Sequence, residues 1–389
     1  MKRMLKDILA LIVSVLIAIL LAEFIIRFAA PQTLLTPLNP DHPDFEPFNH
    51  LTPFGIMAKP DSVSPRYGEN NQKTVVRHNS QGFRSDENYV VPEGKISVAL
   101  VGDSFVYGHG NDQDEKISDY LQEILGEEYY VMNFGVPGWW LGLEYLLNKH
   151  YIQPQFRPDI TVFFVVPNDL ISYAGTWDPY FWLEIDENKS ILAMEPRNFP
   201  INLSPELYQK ELEGEQAVRR LRYSELSPSE RYLLTHSHLY TLIESLGNRQ
   251  KINASNIDDV NLGPFRKNLS MQKVEYDFLC FLSWLINGST DDAMFVYVPS
   301  DFQVDKKAEQ KLRRAYHGFN ADDYDFNRMN GYLNSCWHGI GIESIDLTPV
   351  FRGHPDRRLY NSFLGHWSPE GTRIAAEEVA EMIMEQKNI

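Results

Sequence analysis

Five short, well-separated runs of the chain are rich in apolar residues: Ile96–Asp103, Tyr129–Val136, Asp159–Asp169, Ala293–Ser300 and Ile342–Leu347. A strand with one wet face alternates apolar and polar residues, so near-continuous runs predict strands covered on both faces. Between them the apolar positions switch to helical spacing. Ile117, Tyr120, Leu121, Ile124 and Leu125 form one such set, and Tyr145, Leu146 and Tyr151 a second. Phe278, Leu279, Leu282, Leu285 and Ile286 form a third. Strands alternating with helices predict an α/β fold, a parallel sheet of about five strands between two helical layers. In such sheets ligands bind beyond the carboxyl ends of the strands.

Other stretches follow different rules. Lys2, Arg3 and Lys6 precede an apolar run from Ile8 to Ala22, and Glu23 and Arg27 then stand four apart, the spacing of a helical ion pair. A helix over Ile8–Ala30 is long enough to cross a hydrocarbon core of about 30 Å. The basic residues predict a cytoplasmic start. Residues 1–30 are therefore expected to form a transmembrane anchor, with a cleaved signal peptide as the competing reading. Residues 31–75 are proline-rich at their start and predict an extended tether. Residues 76–389 form the folded domain, interrupted by an insertion at about 171–269 that reads as a lid. Its first part predicts a hairpin around Asp186–Lys189.

Composition narrows the function. The net charge is −17, and no basic stripe lies outside the extreme N-terminus, so a nucleic-acid surface is excluded. Hydrophobic residues make up 43% of the chain, enough for a packed core. Cys280 and Cys336 are its two cysteines. They read as buried thiols, or as a disulfide in an oxidising compartment. Gly102, Gly108 and Gly110 do not have dinucleotide spacing, and no phosphate-loop lysine follows.

The first apolar run ends in GDSFVYGHG, Gly102–Gly110, which places Ser104 where a sheet presents its ligands. A serine there is commonly a helix cap. As a nucleophile it needs a base within hydrogen-bond reach, and histidine titrates near neutral pH. The ester oxygen, once negative, needs donors already aimed at it. Four blocks occur in order: GDSFVYG at Gly102–Gly108, NFGVPG at Asn133–Gly138, VPND at Val166–Asp169 and GHWSPEG at Gly365–Gly371. Together they resemble the GDSL/SGNH hydrolase family, over roughly Val76 to Met384. The upstream HNSQGFRSDENY resembles the lead-in of membrane-anchored bacterial members.

The resemblance implies a flavodoxin-like three-layer sandwich, with Ser104 as nucleophile and His366 as base. It implies an oxyanion hole made of the Ser104 N–H, the Gly135 N–H and the Asn168 amide. It also implies an acyl-ester hydrolase with no metal or organic cofactor. The expected setting is the bacterial inner membrane with the domain in the periplasm, and the expected substrate an O-acylated glycan or another ester. Acyl transfer to a polysaccharide hydroxyl and a non-catalytic glycan-binding role stay open as alternatives. Trp139 and Trp140 are candidates for packing against sugar, with core packing as the plainer role. His109 reads as a surface residue or a spare base.

The pattern departs from the family at one place. Members carry an aspartate two or three residues before the histidine, where this chain has Leu364 and Phe363. A triad acid holds the imidazole's tautomer and orientation, so the role needs another candidate. Asp346, at the end of the fifth run, is the first, with Asp356 and Glu370 behind it. Asp103, adjacent to the serine, is expected in a supporting hydrogen bond instead.

Overall fold

The computed structural model describes residues 2–29, 50–67, 73–170, 181–185, 191–196, 233, 237, 239–240, 265, 267, 271–315, 320–361 and 365–387. Helix α1 spans Lys2–Ala29. Two antiparallel hairpins follow: β1 His50–Thr52 with β2 Gly55–Met57, and β3 Val63–Tyr67 with β4 Lys73–Arg77. They occupy part of the stretch that the prolines assign to a tether, and Met57 is buried in the domain core.

The five apolar runs are the five strands of one parallel sheet: β5 Ile96–Gly102, β6 Tyr129–Gly135, β7 Ile160–Val165, β10 Ala293–Tyr297 and β11 Glu343–Asp346. Their order is β11-β10-β7-β5-β6, with every pair parallel. That is the doubly wound order whose direction of growth reverses between the first and third strands. The reversal places the ends of β5 and β7, and the crevice between them, together. The expected α/β sandwich is observed, with strands somewhat shorter than the apolar runs because the last residues of each run turn into loops.

Side chains alternate strictly between two cores. Val98 and Leu100 of β5, Val162 and Phe164 of β7, and Met294 and Val296 of β10 face one. Ala99 and Val101, Phe163 and Val165, and Phe295 and Tyr297 face the other. Covering both faces removes any need for polar residues, which is why the runs are continuous. Helix α3 (Ile117–Leu125) and the C-terminal helix Pro369–Gln386 contribute to the first core. The second is built with the helix Leu141–Leu147, which follows β6, and with Met271–Ser289 and Arg328–Gly339. Cys280 and Cys336, on the last two of these, are joined as a disulfide with Cα atoms 6.1 Å apart, so the reading as two free thiols is corrected.

Within the insertion, β8 Phe181–Ile185 pairs antiparallel with β9 Ile191–Pro196, the hairpin expected around Asp186–Lys189. In α1 the Glu23 and Arg27 side chains pair at 3.2 Å. Its apolar side chains are exposed, Leu20 at 68% and Phe28 at 71%. Among the described residues no helix is long and apolar enough to cross a membrane. The side chains of Ile8, Leu9 and Ile12 lie outside that set. The expected span therefore takes no support from the fold.

Candidate active site

Strand β5 ends at Gly102, and a one-turn helix, α2, starts immediately at Ser104 and runs to Tyr107. Asp103 caps it: one carboxylate oxygen accepts from the Phe105 N–H at 2.9 Å. Gly108 ends it in the left-handed conformation, at φ 80°. This strand-to-helix turn lifts Ser104 out of the sheet.

His366 comes from the other end of the domain. Ser368 caps the helix Pro369–Gln386, accepting from the Gly371 N–H at 3.1 Å, with Pro369 in the first turn. Just ahead, the Asn361 N–H donates to the His366 carbonyl at 2.7 Å, and Tyr360 and Trp367 form an antiparallel bridge. The backbone of the histidine is thus tied through its own carbonyl and through the residue that follows it. Its Nε2 lies 2.7 Å from the Ser104 hydroxyl oxygen, across 262 residues of sequence. The imidazole also touches two rings, Phe105 at 5.0 Å and His109 at 4.9 Å between centroids.

None of the three proposed triad acids meets this imidazole. Asp346 caps the short helix Leu347–Arg352 through the Thr348 N–H at 2.9 Å. Its second oxygen accepts from the Asn330 and Asn334 amides at 2.7 and 3.0 Å. Those bonds spend the carboxylate on a helix start, and its candidacy is withdrawn. Glu370 pairs with Arg357 at 2.6 Å on the surface, and Asp356 is exposed.

Asp103 is the carboxylate nearest the chemistry. Besides capping α2 it accepts from the Ser104 hydroxyl at 3.2 Å and from the Asn168 amide at 3.3 Å. Burial pushes its carboxyl up, and the Phe105 N–H, His366, Asn168 and Ser104 each pull it back. It is the supporting residue the sequence reading anticipates.

Two of the three expected oxyanion donors lie at the nucleophile. The Ser104 N–H opens α2, and the Asn168 amide, on the 3₁₀ turn Pro167–Leu170 after β7, reaches over Asp103. Gly135 does not join them. Its N–H donates to the Asn133 side-chain oxygen at 3.0 Å in a buried setting. A Cβ there would stand 2.2 Å from the Tyr107 nitrogen, so glycine is required for packing against α2 rather than for substrate. Three residues on, Gly138 is exposed on the turn that follows β6, at φ 78°. Trp139 and Trp140 are also corrected. They are 5% and 3% exposed and belong to the core, with Trp140 against Phe278.

Sequence reasoning missed two features. Arg84, in the HNSQGFRSDENY lead-in, is 1% exposed beneath the nucleophile turn. It donates to the carbonyls of Tyr107, Gly108 and Asn111 at 3.1, 2.5 and 2.8 Å, and to the Gln113 side chain at 3.2 Å. The lead-in was the available signal, though not for this role. The second is a buried acid group. Asp169 accepts from the Val166 N–H at 2.8 Å and the Leu141 N–H at 3.2 Å. Glu144, 1% exposed, has no hydrogen-bond partner on either oxygen among the described residues. Burial first, and then the neighbouring Asp169 and Asp103, raise its carboxyl well above the ordinary range. A single acid within an apolar helix carries no sequence signal for this.

No protein-family model and no curated protein sequence matches the chain. Solved structures that it resembles include a lipase/acylhydrolase from Enterococcus faecalis, at 12% identity over 75% of this chain and 96% of that one, TM-score 0.37. An acetyl xylan esterase matches at 13% identity over 74% and 98%, TM-score 0.39. A catalytic mutant of an acetylxylan esterase from Geobacillus stearothermophilus matches at 10% over 75% and 95%, TM-score 0.38. At scores and identities this low the likeness carries no argument about reaction or substrate.

Proposed function

We propose that the chain is a serine-dependent acyl-ester hydrolase of the GDSL/SGNH type. The observation that carries this reading is the 2.7 Å contact between the Ser104 hydroxyl and His366 Nε2 at the carboxyl end of β5. Packing alone gives no reason for a serine and a histidine to meet there. In the proposed reaction Nε2 takes the hydroxyl proton as Ser104 Oγ attacks the acyl carbonyl. The carbonyl oxygen becomes an oxyanion facing the Ser104 N–H and the Asn168 amide. Return of the proton from His366 to the leaving alcohol gives an acyl-serine, and water activated by the same imidazole releases the acid.

The finer reading keeps the exported setting. The apolar run Ile8–Ala22 with its basic start supports an N-terminal anchor, and the Cys280–Cys336 disulfide supports an oxidising compartment. An O-acyl group on an envelope or exported glycan is the substrate that this setting favours.

The test is active-site labelling. A fluorophosphonate is expected to modify the wild-type chain at Ser104, and Ser104→Ala is expected to stay unlabelled and to lose cleavage of a small acetyl ester. Equal labelling of both, or of neither, would sink the reading and leave a binding role for the fold.

A further inference from the structure

We propose that His109 is a positioning residue for the base, holding the His366 imidazole by ring packing. The inference rests on the Ser104–His366 reading above. The imidazole must be held at the angle that keeps Nε2 at 2.7 Å from the hydroxyl. The His109 ring lies 4.9 Å from it, tilted by 45°, and the Phe105 ring lies 5.0 Å away at 37°. Tilted ring contacts of this kind add to the area they bury, and the imidazole makes two of them.

What distinguishes His109 from an ordinary neighbour is the element that carries it. It leaves the nucleophile turn itself, and its N–H donates to the Ser104 carbonyl at 2.9 Å. Arg84 grips the carbonyls of Tyr107 and Gly108 before it and of Asn111 after it. The turn that presents the hydroxyl therefore also presents the ring that steadies the base. Nucleophile and base are referenced to one rigid segment, although the chain separates them by most of the domain. The contact supplies orientation and, unlike a carboxylate, no charge.

The experiment compares His109→Ala, His109→Gln and His109→Phe in the full chain, using steady-state cleavage of a small acetyl ester, fluorophosphonate labelling rates and thermal midpoints. Losing the ring is expected to lower kcat and the labelling rate about 10- to 100-fold, the scale of a misplaced catalytic group. KM is expected to stay within about twofold, because the contact is to the base and not to substrate. His109→Phe is expected to recover most of the loss, since a ring without titratable nitrogens still packs. Wild-type kcat in both ringless variants overturns the inference, and so does a loss that Phe does not repair while the midpoint is unchanged. Absence of labelling in the wild-type chain overturns the hydrolase reading instead, which keeps the two failures apart.

Discussion

Glu144 shows how much a single residue's environment decides. In an apolar helix segment, LGLEYLL, both its oxygens are enclosed beside Asp169 and Asp103. Its folded-state carboxyl titrates above its unfolded one, so the native state holds the proton more tightly. The sign follows: no penalty exists below the unfolded value of about 4.3, and the penalty grows as pH rises from there towards the folded value. Glu144→Gln removes the titration while nearly keeping the shape. The variant is expected to be the more stable of the two near pH 8, with little difference near pH 4. Denaturant melts at the two pH values check this, and a loss of stability near pH 8 would mean that Glu144 is ionised and paired. At the same scale Gly135 and Gly138 show where sequence reasoning stops. Gly135 ends β6 and Gly138 lies on the turn that follows, and only the tertiary structure shows the Gly135 N–H spent on the Asn133 side chain.

At the scale of elements, the strands were legible and the turns were not. Val98–Val101 or Phe163–Val165 cannot be wetted on either side, so their place in the middle of a sheet follows from hydropathy alone. The nucleophile turn depends instead on Arg84, whose buried guanidinium donates to the carbonyls of Tyr107, Gly108 and Asn111, at the exit of α2 and in the turn after it. Arg84→Met keeps the apolar stem and removes the donors. It is expected to cost about 3 kcal/mol or more, since several buried acceptors lose their partners. The fluorophosphonate labelling rate is expected to fall with it, as the Ser104 turn loosens. Wild-type midpoint and wild-type labelling in the Arg84→Met variant would show that the turn stands without its arginine. The tryptophans after β6 teach the same lesson in reverse: an aromatic pair beside the expected cleft is core because the helix Leu141–Leu147 folds back over it.

For the whole molecule, the open question is where the domain works. The disulfide closes across two helices on one side of the sheet, between residues 56 apart in sequence. A loop of that length stabilises by about 2–5 kcal/mol when it is closed. An exported, anchored chain is expected to fractionate with membranes, to be retained after an alkaline carbonate wash, and to take up thiol reagents at Cys280 and Cys336 only after reduction. A chain found in the soluble cytosolic fraction with both thiols reactive would overturn the anchor and the compartment together. The tether also changes at this scale. Prolines between residues 31 and 65 predict extended chain, but Met57 and Val76 are buried against the domain, so the hairpins belong to the fold.

The sequence by itself determined the layered α/β architecture, the parallel sheet and the identity of Ser104, His366 and Asn168 as candidates. These rest on local hydropathy, on helix caps such as Ser368–Pro369, and on motif order, all of which are written along the chain. Only the tertiary structure decided that Ser104 and His366 meet, that Asp346 turns away to cap a helix, that the Gly135 N–H is already taken, and that Arg84 braces the nucleophile turn. Those outcomes depend on which hydrogen-bond donors and acceptors remain after distant segments have packed, and that balance exists only once the sheet has brought the segments together.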